Sequence, residues 1–130
     1  MALEFTVSDL IPAPPQAVYD AWLDSASHSA MTGGSPAKAS PEVGGEFSAW
    51  DGYLWGRNLA LEPGRRILQS WRTTEFEKSD PDSLLEVLFE DAEGGTRITI
   101  HHSNLSDAGE KYREGWVDAY LDPMKAYFRK

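Results

Sequence analysis

The sequence has 130 residues, no cysteine, and 12 basic against 21 acidic side chains, which gives a net charge of −9. This length fits one domain, residues 1–130, and the lack of cysteine excludes structural disulfides, thiolate metal sites and thiol catalysis. The negative charge repels phosphate backbones and anionic headgroups, so neither nucleic acid nor a membrane is an expected partner. The sequence shows no signal-peptide pattern and no long apolar run, and we therefore expect a cytoplasmic protein.

The first predicted elements are a strand and two helices. Apolar and polar residues alternate over residues 3–10, which is typical of a half-buried strand. Three prolines then end the strand, because proline cannot donate to a sheet. A helix is predicted over residues 16–23, with Val18, Ala21 and Trp22 on one face. A second, shorter helix is predicted over about 25–31.

The middle of the chain predicts strands separated by turn signals. Asp51-Gly52 is the strongest hairpin signal, and Pro63-Gly64 and Gly94-Gly95 mark two further turns. The predicted strands cover residues 37–40, 46–50, 53–61, 66–76, 84–90 and 96–103.

The last predicted element is a long amphipathic helix that begins near Ser106. Its apolar stripe repeats every three or four residues through Tyr112, Trp116 and Tyr120. Pro123 is expected to kink it. The element order is β-α-α-β6-α, which predicts an α+β fold in which a curved, six- to seven-stranded antiparallel sheet surrounds the C-terminal helix.

Five segments, in order along nearly the whole chain, resemble motifs of the START-like (SRPBCC, helix-grip) superfamily. The subgroup they resemble is named for the activator of the heat-shock protein 90 ATPase. The segments are Ala13–Trp22, the Gly-Gly-x-Phe turn at Val43–Phe47, Gly56–Trp71, Gly94–Thr99, and Gly115-Trp116 with Leu121. The resemblance implies a helix-grip fold with a cavity under the last helix. It also implies a possible chaperone partner and a role in the stress response, since the eukaryotic activators stimulate that chaperone.

No catalytic or metal-binding motif is present, so we expect no cofactor and no metal. The chain contains no nucleophile elbow, no His-Glu-x-x-His, no P-loop and no dinucleotide fingerprint. His101 and His102 are adjacent strand residues and should point to opposite faces, so they cannot hold one metal together.

Aromatic side chains make up 12% of the chain and form the candidate ligand site. Large rings on inward-facing positions either fill a core or line an apolar pocket. Polar residues in register with them would orient a ligand. The predicted ligand-binding residues are Trp22, Phe47, Tyr53, Trp55, Arg57, Gln69, Trp71, Trp116 and Tyr120.

The leading hypothesis is a non-catalytic protein, a monomer or weak dimer, that binds a small apolar or amphipathic molecule between sheet and C-terminal helix. The alternative is a chaperone-interaction module, which rests on the resemblance alone. A third reading is a cyclase- or hydrolase-like enzyme that uses His101 or His102.

Overall fold

The computed structural model describes residues 3–129, which form one antiparallel sheet and two groups of helices. Strand β1 comes first and is followed by the short helices α1 and α2. Their bounds are Leu3–Ile11 for β1, Pro15–Trp22 for α1 and Ser25–Met31 for α2. The later strands are β2 Glu46–Ala49, β3 Leu54–Glu62, β4 Arg66–Thr73, β5 Ser83–Ala92 and β6 Gly95–Leu105.

The strands lie in the order β1-β6-β5-β4-β3-β2, and each neighbouring pair is antiparallel. Strands β1 and β2 occupy opposite edges, so α1 and α2 carry the chain from one edge to the other. The predicted α+β helix-grip fold is confirmed, with six strands in the sheet of the described residues.

One predicted strand is reduced to a single contact. Residues 37–40 pair with the sheet only through a bridge between Lys38 and Ser48. Pro36 and Pro41 flank this segment, and neither can donate a backbone hydrogen bond to extend a ladder. Within residues 3–129, five strands rather than six therefore follow the two helices.

The core lies on one face of the sheet, because alternate residues of the central strands are buried. Helix α1 packs on this face with Val18 and Trp22. Each fully buried large apolar side chain contributes about 1.5–3 kcal/mol relative to exposure. The buried residues of β4, β5 and β6 are Ile67, Gln69, Trp71, Thr73, Ser83, Leu85, Val87, Phe89, Thr96, Ile98, Ile100, His102 and Leu105.

The C-terminal helical segment has four parts that follow one another without a break. A 3-10 turn spans Asp107–Lys111, helix α3 spans Tyr112–Trp116, a π-helical turn spans Val117–Leu121, and helix α4 spans Asp122–Phe128.

The π-helical turn accommodates Pro123. The Asp122 N–H bonds to the carbonyl of Val117, five residues earlier rather than four. Proline has no N–H, and in a regular α-helix its ring would collide with the carbonyl four residues before it. The wider turn just before Pro123 relieves this collision, so the predicted disturbance takes the form of a π-helical turn. Within the described range, no helix is long and apolar enough to cross a bilayer.

Candidate functional site

A cavity of about 400 Å³ lies between the C-terminal helical segment, strand β4 and the turn that joins β2 to β3. Its size falls within the range of small-molecule sites, roughly 300–1,000 Å³. Three small or aliphatic residues, Leu54, Gly115 and Ala119, form part of the wall. The remaining wall consists of six aromatic rings: Trp50, Tyr53, Trp71, Tyr112, Trp116 and Tyr120.

The indole of Trp116 is held by His102 on β6. Trp116 Nε1 donates a 3.0 Å hydrogen bond to Nδ1 of His102. Because an indole N–H can only donate, Nδ1 must be the unprotonated nitrogen. His102 Nε2 then carries the proton and donates to Ser83 Oγ at 2.9 Å, and the Ser83 hydroxyl donates to the Trp71 carbonyl at 2.6 Å. This chain of bonds fixes the tautomer of His102.

The imidazole of His102 is suited only to its neutral form. Burial among aromatic rings lowers the pKa of His102 to about 3, and the neighbouring His101 acts in the same direction. The rings of Trp71 and Trp116 lie 4.5 and 5.7 Å from it, centroid to centroid. A second proton, on Nδ1, would face the Trp116 N–H directly.

Tyr120 is held in the same way by His28 on α2. His28 Nδ1 lies 2.8 Å from the carbonyl of Trp22, so this nitrogen carries the proton and donates. Nε2 is therefore an acceptor, and the Tyr120 hydroxyl donates to it at 2.8 Å. Burial lowers the pKa of His28 and raises the pKa of Tyr120, so both groups stay neutral.

The other two tyrosines of the wall also direct their hydroxyls to partners outside the lining. The Tyr112 hydroxyl lies 2.8 Å from Oγ1 of Thr73, and the Tyr53 hydroxyl donates to the Glu75 carboxylate. Four of the six rings thus have their polar atoms hydrogen-bonded to residues that do not line the cavity. The surface that remains for a ligand is dominated by carbon and ring faces.

A polar cluster stands beside the cavity. The Glu75 carboxylate accepts hydrogen bonds from the Tyr53 hydroxyl and from the Lys111 ammonium. Lys111, and next Tyr53, lower the pKa of Glu75, whereas burial and then the bond to Glu75 raise the pKa of Tyr53. The Lys111 ammonium also lies 5.5 Å from the centroid of the Tyr112 ring. The cluster ties the start of the helical segment to the sheet.

Trp50 reaches the cavity from a strained turn. Its φ is 55°, and φ is also positive at Asp51 and Gly52, 57° and 85°. Left-handed backbone is common for glycine but costs a bulky residue about 1–2 kcal/mol. The predicted hairpin at Asp51-Gly52 is present. Its turn begins at Trp50, because β2 ends at Ala49, one residue before the predicted end of that strand. Such strain is concentrated at functional sites in proteins.

Of the nine predicted ligand-binding residues, four line this cavity, namely Tyr53, Trp71, Trp116 and Tyr120. Trp22 lies one layer behind, with ring centroids 6.2 Å from Trp116 and 5.1 Å from Tyr120. Phe47 is buried in the core and lies outside the lining. Contact of any of these residues with a ligand stays a prediction.

Gln69 is buried as expected but serves a loop rather than the cavity. Its Nε2 donates to Oδ1 of Asn58 at 2.9 Å, and Asn58 Nδ2 donates to the carbonyls of Ser40 and Glu42. These bonds fasten the chain ahead of β2 to the sheet.

The structure corrects the prediction that Trp55 and Arg57 face the interior, because both side chains lie on the outer face. Trp55 is 39% exposed, and the Arg57 side chain is 62% exposed with its guanidinium 4.0 Å from Glu46. Strand β3 begins at Leu54, which is buried, and Gly56 and Asn58 follow on the same inward side. Tyr53 precedes the strand, so its inward position does not set the alternation of the residues that follow.

Sequence reasoning did not select five lining residues as ligand contacts. Tyr112 belongs to the helical stripe that includes Trp116, so the same periodicity could have selected it. The position of Trp50 depends on its left-handed backbone, which has no sequence signal in a tryptophan. The other three are Leu54, Gly115 and Ala119.

The two adjacent histidines point to opposite faces, as the strand alternation predicts. His102 is buried, whereas His101 Nδ1 lies 2.8 Å from Oγ1 of Thr6 on the outer face. Among the described residues, no three His, Asp or Glu side chains are close enough together to hold a metal ion.

Comparison with known proteins assigns this architecture. Residues 12–129 match the family described as "Activator of Hsp90 ATPase homolog 1-like protein". The chain belongs to this family.

Two curated relatives are longer than the chain. A Dictyostelium discoideum protein described as "Activator of 90 kDa heat shock protein ATPase homolog" is 33% identical over 88 residues, 67% of this chain and 23% of that protein. An uncharacterized Schizosaccharomyces pombe protein is 26% identical over 117 residues, 89% of this chain and 34% of its own length. The chain thus spans about a quarter to a third of these relatives.

Solved structures share the fold of this family member over almost its whole length. An HSP90 activator from Plasmodium falciparum superposes with a TM-score of 0.83 at 23% identity, covering 98% of this chain and 95% of that one. The protein CalU16 of Micromonospora echinospora superposes with a TM-score of 0.80 at 25% identity, covering 98% and 76%.

Proposed function

We propose that this member of the Hsp90-activator-like family binds a small apolar or amphipathic molecule in the aromatic cavity, without chemical conversion. The observation that carries the proposal is the combination of volume and lining. About 400 Å³ is bounded by six rings, and the polar atoms of four of them are hydrogen-bonded elsewhere. A surface of this kind gains most by burying apolar groups of a ligand.

The side chains near the cavity do not form a catalytic set. His102 is neutral with both nitrogens engaged, and His28 is in the same condition. A general base needs an accessible nitrogen within reach of substrate and a pKa near the working pH. Neither histidine is among the lining residues, which supports binding over catalysis.

The test is titration with a neutral fluorescent lipophile, N-phenyl-1-naphthylamine, together with native mass spectrometry of freshly purified protein. We expect enhanced probe fluorescence at one site and a co-purified mass that is released on unfolding. Gly115→Trp should abolish the probe signal by occluding the cavity, since Gly115 is part of the lining and a Cβ there meets no atom within 4 Å. Trp55→Ala, on the outer face, is the matched control and should leave the signal unchanged. A folded protein that never binds the probe would overturn the proposal.

A second function is favoured by one specific observation, the 33% identity to the Dictyostelium ATPase-activator homolog. We propose that the domain contacts a cognate Hsp90 chaperone. Its test is the ATPase rate of that chaperone with and without the purified domain, with binding followed by calorimetry. An unchanged rate and no heat of binding would remove this second candidate.

A further inference from the structure

The rings of the cavity are of the electron-rich kind. Every one of the six is a tryptophan or a tyrosine, although the chain also contains five phenylalanines. Among neutral side chains, Trp is the best cation–π partner, and Tyr also binds cations over its ring face. Phe would supply hydrophobic contact, but it would supply neither the hydrogen bonds that hold four of these rings nor the strong cation attraction of Trp. Hydrophobic contact alone therefore does not account for this composition.

The wall rings on β4 and the C-terminal helical segment pack against one another and form a continuous aromatic surface. The Trp71 centroid lies 4.9 Å from Tyr112 and 5.6 Å from Trp116, and Trp116 lies 4.8 Å from Tyr120. Trp50 and Tyr53 complete the lining from the β2–β3 turn. A group held between these two sides can contact several aromatic rings at once.

Charge around the cavity favours a cation. Within residues 3–129, no Lys, Arg or His lines the cavity, so an anionic group would be desolvated there without a partner. Beside the cavity, the charged groups Glu75 and Lys111 are paired with each other. Beyond them the whole chain carries a net charge of −9, which attracts cations and repels anions.

A native contact shows that a wall ring already accepts a cation. The Lys111 ammonium lies 5.5 Å from the Tyr112 centroid, in the geometry of a cation–π contact. Lys111 itself is not a lining residue, so the cavity lined by Tyr112 stays available to a ligand.

We infer that the cavity selects an organic cation with an apolar body, such as a quaternary ammonium compound, over a neutral molecule of the same shape. This inference rests on the proposed function, because it names the ligand class of the same cavity. The binding involves no covalent step. The rings exclude water and supply the electrostatic attraction, while the body of the ligand is held by hydrophobic contact.

The test uses three phenols that differ in one group: 4-(trimethylammoniomethyl)phenol, the uncharged 4-neopentylphenol, and 4-hydroxyphenylmethanesulfonate. The first two have the same shape, since a quaternary nitrogen replaces a carbon. Each competes with N-phenyl-1-naphthylamine at 0.15 M and at 1 M salt. We expect the cation to bind about 10-fold or more tightly than its neutral isostere, and the anion to bind least.

Trp71→Phe distinguishes the attraction of a cation to the ring faces from its attraction to the net negative charge of the chain. Among the described atoms, Trp71 Nε1 has no hydrogen-bond partner, so the change breaks no bond and keeps an aromatic ring. In this variant, the ratio of the affinity for the cation to the affinity for its neutral isostere should fall several-fold. In the wild type, the same ratio should persist in 1 M salt.

The outcomes separate the two proposals. Equal binding of the cation and its isostere, or a preference that disappears in 1 M salt, overturns the cation inference and leaves the binding function intact. A folded protein that binds neither compound nor the naphthylamine overturns both.

Discussion

The indole N–H of Trp116 donates to Nδ1 of His102, so a residue of the cavity wall sets the protonation state of a histidine buried behind it. The histidine in turn holds the indole at a fixed angle, because its other nitrogen is bonded to Ser83. The pair Tyr120 and His28 repeats this arrangement one helical turn away. Two wall rings are therefore positioned by hydrogen bonds to buried histidines that lie outside the lining, and their polar atoms are engaged there.

Acid should destabilise the protein through His102. Its folded-state pKa of about 3 lies below the unfolded value near 6.5, so the unfolded chain binds more protons between these limits. Stability is therefore complete above about pH 6.5 and is lost as the pH falls towards 3, by about 2 kcal/mol at pH 5 for His102 alone. The measurement is urea unfolding at pH 7 and pH 5.

His102→Asn provides the comparison, because an amide oxygen can still accept from Trp116 but does not titrate in this range. Its stability should depend less on pH than that of the wild type, by about the same 2 kcal/mol, whatever its stability at pH 7. Identical slopes in wild type and His102→Asn would contradict the assignment.

Removing the indole N–H of Trp116 should lower the free energy of unfolding markedly, although the chemical change is small. Trp116→Phe leaves Nδ1 of His102 buried without a donor, and such an orphaned acceptor costs about 1–3 kcal/mol in addition to the lost ring area. Trp55→Phe makes the same chemical change on the exposed face and should cost under about 0.5 kcal/mol. Chemical unfolding of both variants gives the difference, and equal losses would show that the bond adds nothing.

The sequence predicts the fold and four of the nine lining residues for reasons that can be traced to local patterns. Alternation along β4 places Trp71 inward, and the three- and four-residue spacing of the last helix places Trp116 and Tyr120 together. The alternating pattern predicts the wrong face for Trp55 and Arg57, because it includes Tyr53, which lies in a turn and not in the strand.

Long-range contacts account for the rest. The sequence around Gln69 does not indicate that its amide will donate to Asn58. The sequence around His102 does not indicate that Trp116 will donate to it. These pairings depend on how β3, β4, β6 and the C-terminal helix meet in three dimensions. Four of the nine lining side chains could be selected from the sequence, but the hydrogen bonds that hold the wall rings could not.

Replacing Gly115 with alanine should stabilise the protein and preserve the cavity. Gly115 lies in helix α3, and alanine is favoured there by about 0.5–1 kcal/mol. The added methyl meets no atom within 4 Å, so no strain opposes this gain. Thermal unfolding should show the increase, and probe binding should change little because one methyl group removes a small part of about 400 Å³. A lower unfolding temperature would show that the position is more crowded than the structure indicates.

Replacing Trp50 should weaken ligand binding but change stability little. Its backbone is left-handed at φ 55°, so Trp50→Gly relieves about 1–2 kcal/mol of strain while losing the contacts of a half-buried indole. These terms nearly cancel, and we expect the free energy of unfolding to stay within about 1 kcal/mol of wild type. Binding of N-phenyl-1-naphthylamine should nevertheless weaken by about 10-fold or more, since one wall of the cavity is lost. Trp55→Gly is the control for removing an indole elsewhere on the neighbouring strand, and it should leave binding unchanged. If Trp50→Gly bound the probe like the wild type, the strained turn would have no part in the site.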